Sequence, residues 1–360
     1  MHLIAGDELD LPSLRRRPEI SLLNLRGDQR EGVGLVAKML RVCIYYKRLI
    51  QYALKSRAPI FHVLWNNKFE YFDRTLLMLY YRLLRKQIVM TVHNVNVKRR
   101  DGDDTWLNRM TLRVQYRLAN HLFVHTESMR AEIKYEFGVD ESKVTVIPFG
   151  INNAVPQTEL SSREAKRRLG LEAEDRTILF FGRITPYKGV DLLIAAFRQA
   201  LTRMNRLRLV IAGRPDGCEK YWRAIRENIR GEVLRGQILV REEFIPDVEA
   251  EVYFKAADVL ALPYRSIYQS GVLFLAQSFG LPVLASDAGS LKDDVIEGQN
   301  GFTFRRDNDR DLAEVINRYF CSDLYAGLEN YRNVIREQAA RKHSWSAVAE
   351  ITTEMYQKLL

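Results

Sequence analysis

Cysteine is scarce in this chain. Its 360 residues hold three, Cys43, Cys218 and Cys321, odd in number and far apart, which fits neither a disulfide framework nor a metal site and suits a reducing cytoplasm. Long apolar runs are missing as well. No uninterrupted stretch reaches the ~18 residues that a membrane-spanning helix needs. The opening MHLIAGDELDLPSLRRR puts acids where a secretory signal has cations and then an apolar region. Low-complexity tracts are absent, and a chain that is 47% hydrophobic has no compositional reason for long disorder. One local absence matters most. The stretch PYRSIYQSGVLFLAQSFGLPVLAS, residues 263–286, contains no Asp, Glu or His, and apart from Arg265 its polar side chains are hydroxyls and amides.

What is present is enough chain for two domains, each with its own core. Short β-rich runs alternate with stretches of helical period. EISLLNL, IFHVLW, IVMTVH, HLFVHT and KVTVIPF form a first series, and TILFFG, LRLVIAG, QILV, VLALPY and PVLAS a second. This alternation predicts an α/β fold of two doubly wound, Rossmann-like domains facing across a cleft, with ligands at the carboxyl ends of the strands. GINNAVPQTELSSREAKRRLG joins the series, so the domains are expected over 1–155 and 156–343. A helix over 344–360 packs outside and crosses back to the first domain. Charge is uneven: residues 1–150 carry 25 Lys+Arg against 16 Asp+Glu, net +9, and the remainder 30 against 29, net +1. A basic first half favours an anionic contact such as a membrane leaflet, against the plain alternative of a solvated surface. No nucleic-acid motif accompanies it.

Three places can carry chemistry. ILFFGRITPYKGVDLLIAAF, residues 178–197, sets Arg183 and Lys188 on one loop after a strand, a fork of donors and a point charge that suit a diphosphate. In the 263–286 stretch, Ser270, Gly271 and Val272 begin a helix whose free amides and dipole form an anion site, with Ser270 as N-cap and Gly271 permitting close approach. The plain readings are two exposed cations and an ordinary helix cap. His93, in IVMTVHNVN, follows a strand's carboxyl end and is suited to meeting a sugar hydroxyl at neutral pH. His62 and His125 read as structural. The acidic run DGDD at 101–104 reads as a loop rather than an Mg²⁺ site.

With these residues in place, the chain resembles the GT-B glycosyltransferases of family 4, retaining enzymes that use nucleotide sugars. The resemblance covers roughly residues 60 to 360 and rests on TVHNVN, HTESM, VIPFGIN, FFGRITPYKGVDLLIAAF, LVIAG, AADVLALPYRSIYQSGVL, GLPVLASDAGSL and EGQNGFTF in the family's order. It implies that Arg183 and Lys188 hold the donor diphosphate and that the amides of Ser270, Gly271 and Val272 approach its distal phosphate or sugar. It also implies that His93 sits beside the transferred sugar and that Ile245 contacts the nucleobase. No cofactor or essential metal is implied. The partners implied are a nucleotide sugar and a glycan or lipid-linked acceptor, in a cytoplasmic enzyme peripheral to the membrane.

Two departures qualify the resemblance. The family's pair of glutamates across this loop and helix is replaced by Ile267 and Leu275, which weakens any inference about donor identity. Little precedes EISLLNL, and REGVG at 30–34 is a poor substitute for the expected glycine-rich loop. Either the first domain is unusually small or the fold's first strand is lost. Two other readings therefore stand beside a transferase: a nucleotide-sugar epimerase of the same shape, and a non-catalytic nucleotide-binding protein. The segment FDRTLLMLYYRLLRK, residues 72–86, has the apolar and cationic content of an interfacial helix, with a sheet-covering helix as the preferred reading.

Overall fold

Strands form where β-branched and aromatic residues cluster between turns, and each β-rich run named above contains one. The structure, a computed structural model, describes residues 1–5, 17–27, 34–152 and 154–360. Strands β1 (His2–Ala5) and β2 (Ser21–Asn24) pair in parallel, with His2 opposite Ser21 and Ala5 opposite Asn24. Strands β3 (Ile60–Val63), β4 (Gln87–Thr91), β5 (His121–Val124) and β6 (Val144–Val146) form a four-stranded sheet in that order. Of the two alternatives for the short beginning, loss of the first strand is corrected here. His2–Ala5 is a strand, paired in parallel with β2. The REGVG stretch, 30–34, lies outside the described residues except for Gly34.

The second sheet has six parallel strands: β7 (Arg176–Phe181), β8 (Leu207–Ala212), β9 (Ile238–Arg241), β10 (Val259–Leu262), β11 (Val283–Ser286) and β12 (Gly301–Phe304). Their order is β12-β11-β10-β7-β8-β9. Successive strands move outward from β7 to one edge, return to β10 beside β7, and then move to the other edge. The direction of winding therefore reverses between β7 and β10, which pair with Ile178 opposite Val259.

Ile178, Leu179 and Phe180 on β7, and Val259 and Leu260 on β10, are fully buried, as befits parallel strands covered on both faces. A charged pair is sealed below them. Lys166 Nζ lies 3.1 Å from Asp258 Oδ2 and donates to the Asp175 carbonyl at 2.6 Å, while Thr177 N donates to Asp258 Oδ2 at 2.7 Å.

Contacts divide the chain into two compact units. One comprises Met1–Thr91, Leu107–Leu122 and Leu359–Leu360, the other Val92–Trp106 and Phe123–Lys358. In the first, helix Leu35–Lys55 buries Tyr45, Tyr46, Leu49 and Ala53 but leaves Val36 81% and Leu40 60% exposed. The helical stretch 70–83 buries Leu77, Met78 and Tyr81 and covers β4, yet turns Leu76, Leu79 and Leu83 outward. In the second unit, Trp345 opens the last helix, Trp345–Leu359, and its indole donates to the Ile151 carbonyl at 2.7 Å. Among the described residues no helix is long and apolar enough to cross a membrane, and the three cysteines are free.

Candidate active site

A reversal of winding leaves a crevice at the carboxyl ends of the two strands that flank it. The loops after β7 and β10 carry the residues singled out in the sequence. Gly182, directly after β7, has φ +99°, and a Cβ built there would lie 3.2 Å from Lys188 Nζ and 3.6 Å from Val272 Cγ2. The Lys188 ammonium and the first turn of helix Gly271–Ser278 therefore meet at Gly182. Lys188 is only 8% exposed, and its Nζ lies 5.4 Å from the centroid of the Tyr264 ring, a cation held against a π face. Burial pushes the Tyr264 phenol up to about 12, so that ring stays neutral.

Ser270 occupies the N-cap position with extended backbone, φ −123° and ψ 112°, but its side chain makes no cap bond, and Leu273 N turns to the Ser270 carbonyl at 3.1 Å. The expected side-chain cap is thus absent. First-turn amides of a helix have no intrahelical acceptors, so this helix presents its positive end without a capping hydroxyl over it.

The two loops are fastened to each other by Arg265. It donates to Asp191 Oδ1 at 3.0 Å and Oδ2 at 2.7 Å, to Asp307 Oδ1 at 2.9 Å and to the Pro186 carbonyl at 2.6 Å. Tyr221 donates to Asp191 Oδ1 at 2.6 Å. Burial alone would raise the Asp191 carboxyl, but hydrogen bonds from Arg265 and Tyr221 hold it below the usual aspartate value. The loop after β10 is also backed by main chain. Gly289, φ +56°, leaves no room for a side chain, since its Cβ would fall 1.7 Å from the Ile267 carbonyl oxygen.

The sequence belongs with a known group. Residues 19–155 match the family described as Glycosyltransferase Family 4, and residues 175–321 the one described as Glycosyl transferases group 1. The chain belongs to family 4 of the GT-B glycosyltransferases. A curated relative, D-inositol 3-phosphate glycosyltransferase of Kineococcus radiotolerans, is 29% identical over 252 residues, 67% of this chain, and the match spans 57% of that relative's length. Among solved structures, sucrose-phosphate synthase from Thermosynechococcus elongatus superposes with a TM-score of 0.77 at 19% identity, covering 99% of this chain and 88% of that one. Anabaena HepE in complex with UDP and glucose superposes with a TM-score of 0.72 at 17% identity, covering 94% and 86%. The fold of this chain is therefore GT-B.

The other expected site residues are dispersed. Arg183 is 64% exposed along its side chain and pairs with Asp216 Oδ2 at 2.7 Å, on the loop after β8. Ile245 is buried in the hydrophobic core before helix Asp247–Ala256. His93 and His125 follow β4 and β5, and His125 Nε2 lies 3.0 Å from His93 Nδ1. Burial lowers both, His125 to about 4 with His93 as a second cause, so both rings are neutral at pH 7. An aromatic column continues from the pair. Phe149 meets His125 edge-on at 5.0 Å and stacks on Phe274 at 5.3 Å, and a Cβ on Gly271 would lie 3.7 Å from the Phe149 ring.

Sequence reasoning missed three of these features: the Arg265 clamp, the histidine pair, and a bond from the Tyr268 hydroxyl to Glu132 Oε1 at 2.8 Å. The clamp had one local signal, an acid in the first turn of helix Val190–Leu201.

Proposed function

We propose that this chain transfers a hexose, with retention, from a nucleotide diphosphate sugar to a cell-envelope, polysaccharide or lipid-linked acceptor, with no essential metal or cofactor. The observation that carries this reading is the meeting of Lys188 Nζ with the start of helix Gly271–Ser278 at Gly182. In the reaction the bond from sugar C1 to the diphosphate oxygen breaks, and the nucleoside diphosphate leaves with the electron pair. The acceptor oxygen bonds to C1 and its proton is released. Charge develops on the β-phosphate, where a buried ammonium and a helix's positive end are already in place and need no reorganisation. Arg183 joins by exchanging Asp216 for phosphate oxygens. His93, neutral by burial, meets the sugar as a hydrogen-bonding partner. Since the Anabaena relative was solved with UDP, UDP is the nucleotide to test first.

Peripheral contact with the inner face of a membrane is part of the same proposal. It is supported by the +9 charge of residues 1–150 and by the outward apolar side chains of the two helical stretches in the first unit.

UDP-glucose at a hundredfold excess over its Kd stabilises the folded protein by ~2.7 kcal/mol, visible as a raised melting temperature. Lys188→Ala and Arg183→Ala are expected to keep the fold and lose roughly 10²–10³ in turnover. Full turnover in Lys188→Ala removes the phosphate assignment. Donor consumption that is independent of any added acceptor removes transfer as the activity.

A further inference from the structure

Tyr264 lies at the start of the loop after β10 and is 1% exposed. Its ring faces the Lys188 ammonium, with Nζ 5.4 Å from the ring centroid. We propose that Tyr264 is a positioning residue for Lys188, its ring face holding the ammonium at the first turn of helix Gly271–Ser278, where the donor diphosphate binds.

Main chain on either side brings the two residues together. Lys188 closes the short turn Pro186–Lys188 and is followed by Gly189 in the left-handed region, φ +68°. A Cβ on Gly189 would fall 2.1 Å from the carbonyl oxygen of Pro263, the residue before Tyr264. On the other side, Arg265 N donates to the Tyr187 carbonyl at 2.7 Å. Residues 187 and 189 are thus fastened to 265 and 263, and the residues they enclose, Lys188 and Tyr264, lie side by side. A third strand sets Tyr264 itself. Ser286 Oγ on β11 donates to its carbonyl at 2.6 Å, and the Tyr187 ring meets its ring edge-on at 6.4 Å.

A lysine stem is flexible and its ammonium is costly to bury, yet Lys188 is only 8% exposed. A π face offsets part of that cost and fixes the direction of the cation. It does so through a quadrupole, so the ring itself brings no negative charge that a phosphate would have to displace. Arg183, in contrast, must leave Asp216 Oδ2. The ring is the part of Tyr264 that acts, because its hydroxyl is buried and makes no hydrogen bond.

The inference rests on Lys188 meeting the donor diphosphate, but its first test needs no substrate. A methylene over a ring face resonates upfield. In protein labelled with ¹³C-lysine, the Lys188 ε-methylene protons, identified by their loss in Lys188→Ala, are therefore expected upfield of those of the other lysines. Tyr264→Phe keeps a ring and should keep the shift, whereas Tyr264→Leu should abolish it. Lys188 ε-protons among the bulk of the lysines in the wild type, or an unchanged shift in Tyr264→Leu, overturn the inference. The second test is UDP affinity by calorimetry. Tyr264→Leu is expected to weaken UDP binding about fivefold, the size of one desolvated cation–π contact, with Tyr264→Phe within about twofold of wild type. In a Lys188→Ala background, Tyr264→Leu should add less than about twofold, because the ring acts through that ammonium. An equal loss in both backgrounds marks a merely structural role and overturns the inference. Should Tyr264→Leu fail to fold, Tyr264→Met takes its place in both tests. If Lys188→Ala binds UDP as the wild type does, the donor-site reading has failed independently, and the ε-methylene shift still decides the pairing.

Discussion

Two glycines separate fold from function. Gly189 has φ +68°, and a Cβ there would lie 2.1 Å from the Pro263 carbonyl oxygen, so Gly189→Ala forces backbone apart and should cost at least ~1–3 kcal/mol in thermal or urea unfolding. Gly271 is different: its Cβ would make ordinary contact with Phe149 at 3.7 Å. Gly271→Ala should leave unfolding within about 0.5 kcal/mol of wild type and weaken UDP binding about tenfold by calorimetry, through crowding of the helix start. Equal UDP affinity in that variant removes the close approach at Gly271. At this scale the sequence was partly legible. Spacing placed Lys188 and Val272 on two post-strand loops, and the structure brings them to one glycine. It could not show that Arg183 turns to Asp216, 33 residues away, that Ile245 sinks into the core, or that His125 reaches His93. Each depends on a contact between distant segments, which local pattern does not encode.

Between elements, the loop after β7 and the loop after β10 act as one body because Arg265 grips Asp191. A carboxyl whose folded value is depressed contributes stability that is present above its unfolded value, near pH ~3.9, and lost as pH falls through the lower folded value. The Asp191 contribution should therefore be flat from pH 7 to 5 and disappear in acid, and Asp191→Asn should remove that acid dependence from the melting curve while lowering the melting temperature at pH 7. An identical acid limb in Asp191→Asn rules the clamp out as a pH-linked element. The sealed pair of Lys166 and Asp258 makes a sharper case. Lys166→Ala strands a buried carboxylate against Thr177 N, and a loss of ~3–5 kcal/mol is expected in denaturant unfolding. Elements were the most legible level of this chain. Alternating periods located most of the strands, whereas β1 and β12, at the outer ends of the two series, escaped.

The molecule as a whole is lopsided in charge, with +9 on residues 1–150 and +1 on the rest, and it bares leucines on 70–83, where Leu83 is 73% exposed. If these serve a leaflet, the protein should sediment with vesicles of phosphatidylglycerol at low ionic strength and not with phosphatidylcholine. Binding should fall as salt shortens the screening length from ~10 Å at 0.1 M toward ~3 Å at 1 M. Val36→Glu and Leu83→Glu should weaken it further, and absence of binding to the anionic vesicles removes the membrane contact. Charge asymmetry was legible by counting. Which residues are bare was not, because 72–86 has enough apolar positions to cover a sheet with one face and leave another outside.

The main-chain contact between Gly289 and Ile267 has a bearing on redesign. The loop's path is held by backbone against backbone at Ile267, by Arg265 at its start and by the Tyr268 hydroxyl on Glu132 Oε1, while the Ile267 side chain is only partly buried against the core. If the loop meets the donor as proposed, Ile267→Glu is the substitution expected to shift sugar preference while the chain keeps its route. Leu275, buried in the core, offers no such freedom, so the two positions that lost their carboxylates are unequal starting points for restoring them.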